Sequence, residues 1–401
     1  MKKNAFLWWL NPVYLYIIIS LVPFAAFFVS ERSYWVLYGV QSKFVSEKYL
    51  VLYTISAILF CLGAKTAKGL YVGSIEAVAG LQQTYNFLIK MCFLAYAAWF
   101  LHFAYLHGFG SLFTFLHPSA MTSKMYVFRT NSGRIAGLTS MTEFGVVVAP
   151  LAVIFFKVTK KRKYYIHLFV LFALSIIRSV LFSERLAFLE LFVPTMVVLF
   201  VFADYKGWYR FVPFIGLSFA LFLFGALEYS RSWSRFYVDH YSGSFIQFVV
   251  NRFLGYYTIA INTECTYLQV GNPNWYPHNL LQFLWNLPLF NRVPPLFDKI
   301  GFNVLYVYGN EEFNNPGGML VAVKDFGLIG VPFSFLLGRI AGSLYKSFRK
   351  GFLLGIIFYS IFFLSIIELP RYYYWGNNRA FFVLIGMFIV FAKLRKIRWS
   401  K

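Results

Sequence analysis

Residues 314–330 read NNPGGMLVAVKDFGLIG, and the apolar stretch they open runs on to about Gly342. It is long enough to cross a bilayer, yet it carries Lys324 and Asp325 side by side. A charge near a bilayer centre costs at least ~2.5–3.5 kcal/mol on translocon scales, so each of the two needs a partner or a task. Adjacent helical residues point about 100° apart, so the two do not satisfy each other. Asp325 stands about nine residues into the stretch, roughly 13 Å along a straight helix. It is expected to meet an arginine from another span, Arg178 or Arg185 first. Gly327 and Gly330 are expected to leave one helix face slim enough for close packing.

The rest of the chain has the same character. Its 401 residues are 59% hydrophobic and 13% charged, with a mean hydropathy of +0.62. A soluble domain carries about a quarter charged residues. The 50 phenylalanines suit lipid-facing helices and interfacial belts. The expectation is an all-α polytopic membrane protein, one integral domain over 1–401. About ten apolar windows of spanning length centre near Ile18, Ser56, Tyr96, Val148, Phe172, Thr195, Leu217, Ile329, Ser360 and Ile385. The first follows Met1-Lys2-Lys3 and reads as an uncleaved anchor, being too long for a signal-peptide core and lacking a small-residue cleavage site.

Charge sets the expected orientation. The net charge is +22, and most of the surplus falls in compact basic segments such as 157–163 (KVTKKRK), 339–350 and 393–401. The positive-inside rule then places both termini in the cytoplasm. Dispersal of these charges through short loops among apolar spans argues against a nucleic-acid partner. Of Cys61, Cys92 and Cys265 only the last falls outside, so no outer disulfide within one chain is expected. Without CxxC or HExxH, and with six scattered histidines, no metal site is expected. No GxxxxGK[ST] occurs, so neither ATP chemistry nor another cofactor is indicated, and no internal repeat of the transporter kind is found.

Two connections are long, 107–134 and 228–316, and both fall outside. Within the larger one, 244–270 and 278–290 read as amphipathic helices on or dipping into the outer leaflet, a cover for a site at that interface. The same side is rich in arginine against the topological bias: Arg178, Arg185, Arg231, Arg235 and Arg252, with Arg371 and Arg379. A guanidinium offers a fork of donors matched to phosphate oxygens, so this set points to an anionic headgroup such as a pyrophosphate. The plainer alternative pairs these arginines with Glu184, Glu190, Glu228 and Asp325, or with lipid headgroups. General-base candidates on this side are His278, His240, Glu264, Glu311, Glu312 and Glu31. Tyr256, Tyr257, Trp275 and the run Tyr372-Tyr373-Tyr374-Trp375 could stack on sugars or form an interfacial belt.

Three short stretches carry a family likeness. DFGLIG at 325–330, continuing to LLGRIAGSLY, resembles the late-helix motif of oligosaccharide repeat-unit polymerases, the O-antigen polymerases. RIAGLTSM at 134–141 and SERLAFLELF at 183–192 resemble motifs that open the family's middle helices. YYYWGNNR at 372–379 matches none of them. The resemblance implies a membrane-embedded glycosyltransferase fold of the GT-C type in the bacterial inner membrane, its active site facing the periplasm. It implies transfer of a growing glycan from undecaprenyl pyrophosphate to the sugar end of a fresh lipid-linked unit, with a chain-length regulator as a further partner. Arg185 and Asp325 carry over by position. The remaining roles rest on the residues: Arg178, Arg231, Arg235 and Arg252 for pyrophosphate, and His278, Glu264 or Glu311 beside Asp325 for catalysis. An O-antigen ligase and a lipid-linked oligosaccharide flippase are the rival readings.

Overall fold

The computed structural model describes residues 7–40, 42–116, 127–128, 131, 134–182, 184–287, 290 and 307–399. The helices are α1 (Pro12–Ile19), α2 (Leu21–Phe28), α3 (Glu31–Tyr38), α4 (Glu47–Thr66), α5 (Gln82–His107), α6 (Gly145–Thr159), α7 (Arg162–Phe182) and α8 (Arg185–Phe202). Then come α9 (Val212–Glu228), α10 (Phe245–Val270), α11 (Gln282–Trp285), α12 (Val321–Phe326), α13 (Phe333–Arg349), α14 (Leu353–Glu368) and α15 (Ala380–Trp399). Among the described residues the one β-type contact is a parallel bridge between Gly317 and Tyr372.

Five helical runs are long and apolar enough to cross a membrane, or six if one bent pair counts as a span. Shorter apolar helices cover Pro12–Phe28, Leu186–Phe202 and Leu353–Glu368. Large apolar side chains such as Phe28, Tyr105, Phe222 and Ile246 point outward, where a soluble domain would place charge. The chain is thus all-helical in its described part and compatible with a membrane protein. The first apolar window is broken at Ser20 between α1 and α2. Pro23 accounts for this, since its ring would clash with the carbonyl four residues back in a continuous helix.

The apolar stretch from 314 is not one straight helix. Val321–Gly330 and Phe333–Arg349 meet at 119°. Gly327 adopts φ 60°, a conformation that suits glycine, and a Cβ on Gly330 would run into the Ala322 carbonyl. Both glycines therefore serve the bend rather than a slim packing face, and Asp325 lies in the last turn of a six-residue helix.

The segment 244–270 forms one long helix, α10, opened by a capping box between Ser244 and Gln247. It packs on α2, α3 and α9 along one face, while Ile246 and Leu254 stay exposed. Its buried Phe248, Val249, Arg252, Tyr256 and Ile259 recur at helical spacing, and its polar interior groups are paired, which makes burial tolerable. In 278–290 only the single turn α11 forms, and residues 288–289 lie outside the described residues.

α13 lies across α4 at backbone contact. Gly338 faces the Phe60 carbonyl, Gly342 faces Ala64, and Gly63 of α4 faces the Phe335 carbonyl. Small residues four apart let two apolar helices approach closely where no hydrophobic force drives them together. Gly342→Val is expected to lower stability by about 1–3 kcal/mol through overpacking. Gly216→Ala, where a Cβ meets nothing within 4 Å, should leave thermal unfolding in detergent unchanged. Equal melting of the two variants would refute this packing.

Candidate functional site

Three arginines and three glutamates interlock where α7 turns into α8. Glu184 sits in that turn as the N-cap residue of α8, a position favourable for negative charge. Arg178, near the end of α7, reaches Glu184 at 2.9 Å and Glu143 at 3.2 Å. It also donates to the Thr142 hydroxyl at 2.8 Å and lies 4.2 Å from the centroid of the Trp99 ring. Arg379, one residue before α15, reaches Glu190 at 3.1 Å, Glu143 at 3.3 Å and Glu184 at 3.6 Å. Arg134 pairs with Glu184. Glu143 and Glu190 are buried, and several guanidiniums around them offset the desolvation that a lone buried carboxylate would suffer.

Beside this network opens a cavity of about 480 Å³. Its polar wall is Arg134, Arg379, Arg371, Glu184, Glu368 and Asn314. Its apolar wall comes from Leu186 and Leu189 of α8, Ala220, Leu223 and Phe224 of α9, and Phe253 of α10, with Tyr256 and Tyr257 of α10 completing it. α8 packs mainly on α6, α7 and α14, whereas α9 packs mainly on α10. The cavity occupies the cleft between these two groups. Arg371 donates to Glu368 at 2.8 Å and lies 5.7 Å from the Tyr256 ring centroid.

The segment bearing Arg371 is held from behind by the stretch at 314–318. Gly317 N–H donates to the Arg371 carbonyl at 2.9 Å, and Gly318 lies against the Tyr372–Tyr373 backbone with no room for a Cβ. Tyr372 is buried and its hydroxyl has no hydrogen-bond partner among the described residues. Burial, and then the nearby Glu368 carboxylate, push that hydroxyl well up, so it keeps its proton. A buried donor left in this way costs about 1–3 kcal/mol until an oxygen accepts from it.

The predicted site residues with described side chains are not part of this cavity wall. Arg178 belongs to the network but does not line the cavity. Arg252 is enclosed by Glu228 at 2.6 Å and Glu312 at 2.8 Å, so its charge is already met. Glu264 is fully buried, accepting from Tyr53 at 2.8 Å and from the Leu320 N–H at 3.0 Å. His278 bonds the Tyr276 hydroxyl at 2.8 Å and is not part of the cavity wall. The side chains of Arg185, Arg231, Arg235 and Glu311 lie outside the described residues.

Among the described residues Asp325 meets no arginine; it does not pair with Arg178, and the Arg185 side chain lies outside the described residues. Its carboxylate accepts from the backbone N–H of Asn279 at 2.9 Å and of Leu280 at 2.9 Å, and from the amides of Asn274 at 3.1 Å and Asn279 at 2.7 Å. Its own carbonyl accepts from Trp275 N–H at 2.7 Å. Lys324 turns the other way, to the carbonyls of Pro316 at 2.8 Å and Gly317 at 3.1 Å, with Glu264 at 3.7 Å. The acid and base of the opening stretch are fasteners. One ties down 274–280 and the other ties down the turn that supports Arg371.

Two carboxylates that matter here, Glu143 in SMTEFG and Glu368 in IIELPR, were absent from the predicted set. The signal was the one that singled out Asp325, an acid inside an apolar run. Comparison with protein-family models, with curated proteins and with solved structures finds no match.

Two measurements separate structural from functional roles. Asp325→Asn should speed amide hydrogen exchange in 274–280 while leaving that of α4 unchanged; uniform protection across the chain would contradict the fastening role. Arg252→Ala strips buried Glu228 of its guanidinium and should destabilise the protein by about 3–5 kcal/mol. Full retention of the wild-type melting temperature would show that the ion pair is not structural.

Proposed function

We propose that the chain is a polytopic glycosyltransferase of the bacterial inner membrane that polymerises lipid-linked oligosaccharide repeat units at its periplasmic face. About ten spans and a GT-C-like arrangement go with this reading, with both termini in the cytoplasm. The observation that carries it is the mixed lining of the cavity. Its arginines suit pyrophosphate oxygens, the aliphatic side chains of α8 and α9 suit a polyprenyl tail, and the tyrosines, one of them beside Arg371, suit sugar faces. A ligand combining an anion, a long apolar chain and a glycan would use all three.

Positioned guanidiniums would stabilise charge on the departing pyrophosphate as the bond from the sugar breaks. The linkage carries its own driving force, so no nucleotide site is required. Arg134 and Arg379 are the residues we assign to the pyrophosphate and Arg371 to the junction with the first sugar. Membrane lipid is the remaining partner, and a chain-length regulator is compatible with the reading.

The test is a surface-polysaccharide gel from a strain lacking this chain, complemented with wild type or Arg371→Ala, with protein amounts matched by immunoblot. The expected result is a ladder with wild type and collapse to a single repeat in the deletion and in the variant. Complete loss of surface repeats in the deletion would instead favour a ligase or flippase. An unchanged ladder in the deletion would end the proposal.

A further inference from the structure

We propose that Glu368 is the general base that takes the proton from the acceptor sugar's hydroxyl, an inference that rests on the glycosyl-transfer reading above. Two carboxylates face the cavity, Glu184 and Glu368. Glu184 is engaged by three guanidiniums, those of Arg134, Arg178 and Arg379, and its lone pairs are committed. Glu143 and Glu190 lie behind Arg379 and are not part of the wall.

Glu368 differs from all three. Among the described residues a single guanidinium touches it, that of Arg371, through one carboxylate oxygen at 2.8 Å. Its second oxygen makes no hydrogen bond to a described residue and is available to a guest. The surroundings are those a sugar hydroxyl would need. Tyr256 and Tyr257 are part of the same wall. Arg371 is in the same wall, 2.8 Å from the carboxylate. A guest hydroxyl placed here would give its proton to Glu368 and offer its oxygen to Arg371.

In the step itself the acceptor oxygen forms the new bond to the anomeric carbon. The bond from that carbon to the pyrophosphate oxygen breaks, and its electron pair leaves with the pyrophosphate. The acceptor's proton passes to Glu368, which returns it to the departing pyrophosphate or to water. General-base assistance of this kind is worth roughly 100- to 10,000-fold in rate. Arg371, the base's partner, stands directly before the stretch that matched no family motif.

The experiment uses full-length protein in lipid nanodiscs. Undecaprenyl pyrophosphate is the binding probe, and lipid-linked repeat units extracted from the native strain are the turnover substrate. E368Q is expected to bind undecaprenyl pyrophosphate as wild type does, to lose turnover roughly 100- to 10,000-fold, and to lose the acid limb of the rate–pH profile. E368D, which keeps the charge and the Arg371 contact, should recover part of the rate and the acid limb. Wild-type protein that neither binds the probe nor turns over the substrate would remove the cavity reading itself. Wild type active with E368Q within about threefold of it at every pH would overturn the base assignment alone. Where E368Q does not survive purification, E368D decides: a rate and acid limb identical to wild type overturn the assignment, and a lowered rate with normal probe binding sustains it.

Discussion

Arg379 holds together the end of the bundle that bears the cavity. It stands before α15 yet contacts Glu143 from the segment before α6, Glu184 from the α7–α8 turn and Glu190 from within α8. Charges buried among apolar helices are strongly unfavourable when alone and tolerable when mutually satisfied. Three acids and three bases spread over distant parts of the sequence can be buried only if those parts come together in one arrangement. The network is therefore a constraint on register as much as a source of stability. It also leaves Arg134 and Arg379 on the cavity wall, where they remain partly exposed.

A second set of contacts holds the polar wall from outside. The carboxylate of Asp325 gathers 274–280, and the Asn279 carbonyl lies where Gly376 has no side chain. Asn286 reaches Asn378 at 2.7 Å, and Phe283 packs on Phe381 at 5.8 Å. The segment 274–286 is thus tied at one end to the broken helix and at the other to the turn that presents Arg379. On the opposite side Lys324 and Gly317 brace the backbone that presents Arg371. The short stretch around 314–330 therefore sets the positions of two arginines it never touches through its side chains.

Much of the helical plan was legible in the sequence, because apolar windows announce helices wherever water must be excluded. Nine of the ten window centres fall in a described helix, and the tenth, Ile329, falls in the short turn at the bend. The sharp bend at Gly327–Pro332 was not legible, since composition over 314–342 is that of one span and only backbone geometry distinguishes a turn from a slim packing face. The ion pairs of α10 were not legible for a related reason: Glu228 and Lys324, the partners of Arg252 and Glu264, lie 24 and 60 residues away.

By itself the sequence determined an apolar, helix-forming chain compatible with a membrane protein, with arginines and glutamates that had to be paired wherever they were buried. For Arg178, Arg252 and Arg379 the structure shows the plainer pairing, with Glu184, Glu228 and Glu190, but not a pairing of Asp325 with a described arginine. Only the tertiary structure decided which arginines were left facing a cavity, because a salt bridge depends on distance in space and carries no signature of spacing along the chain. Arg178 and Arg252 are consumed by their partners, whereas Arg371 and Arg379 reach both a partner and the cavity. The fastening contacts of Asp325 were visible only in the same way, as four donors converging on one carboxylate from a loop some fifty residues earlier.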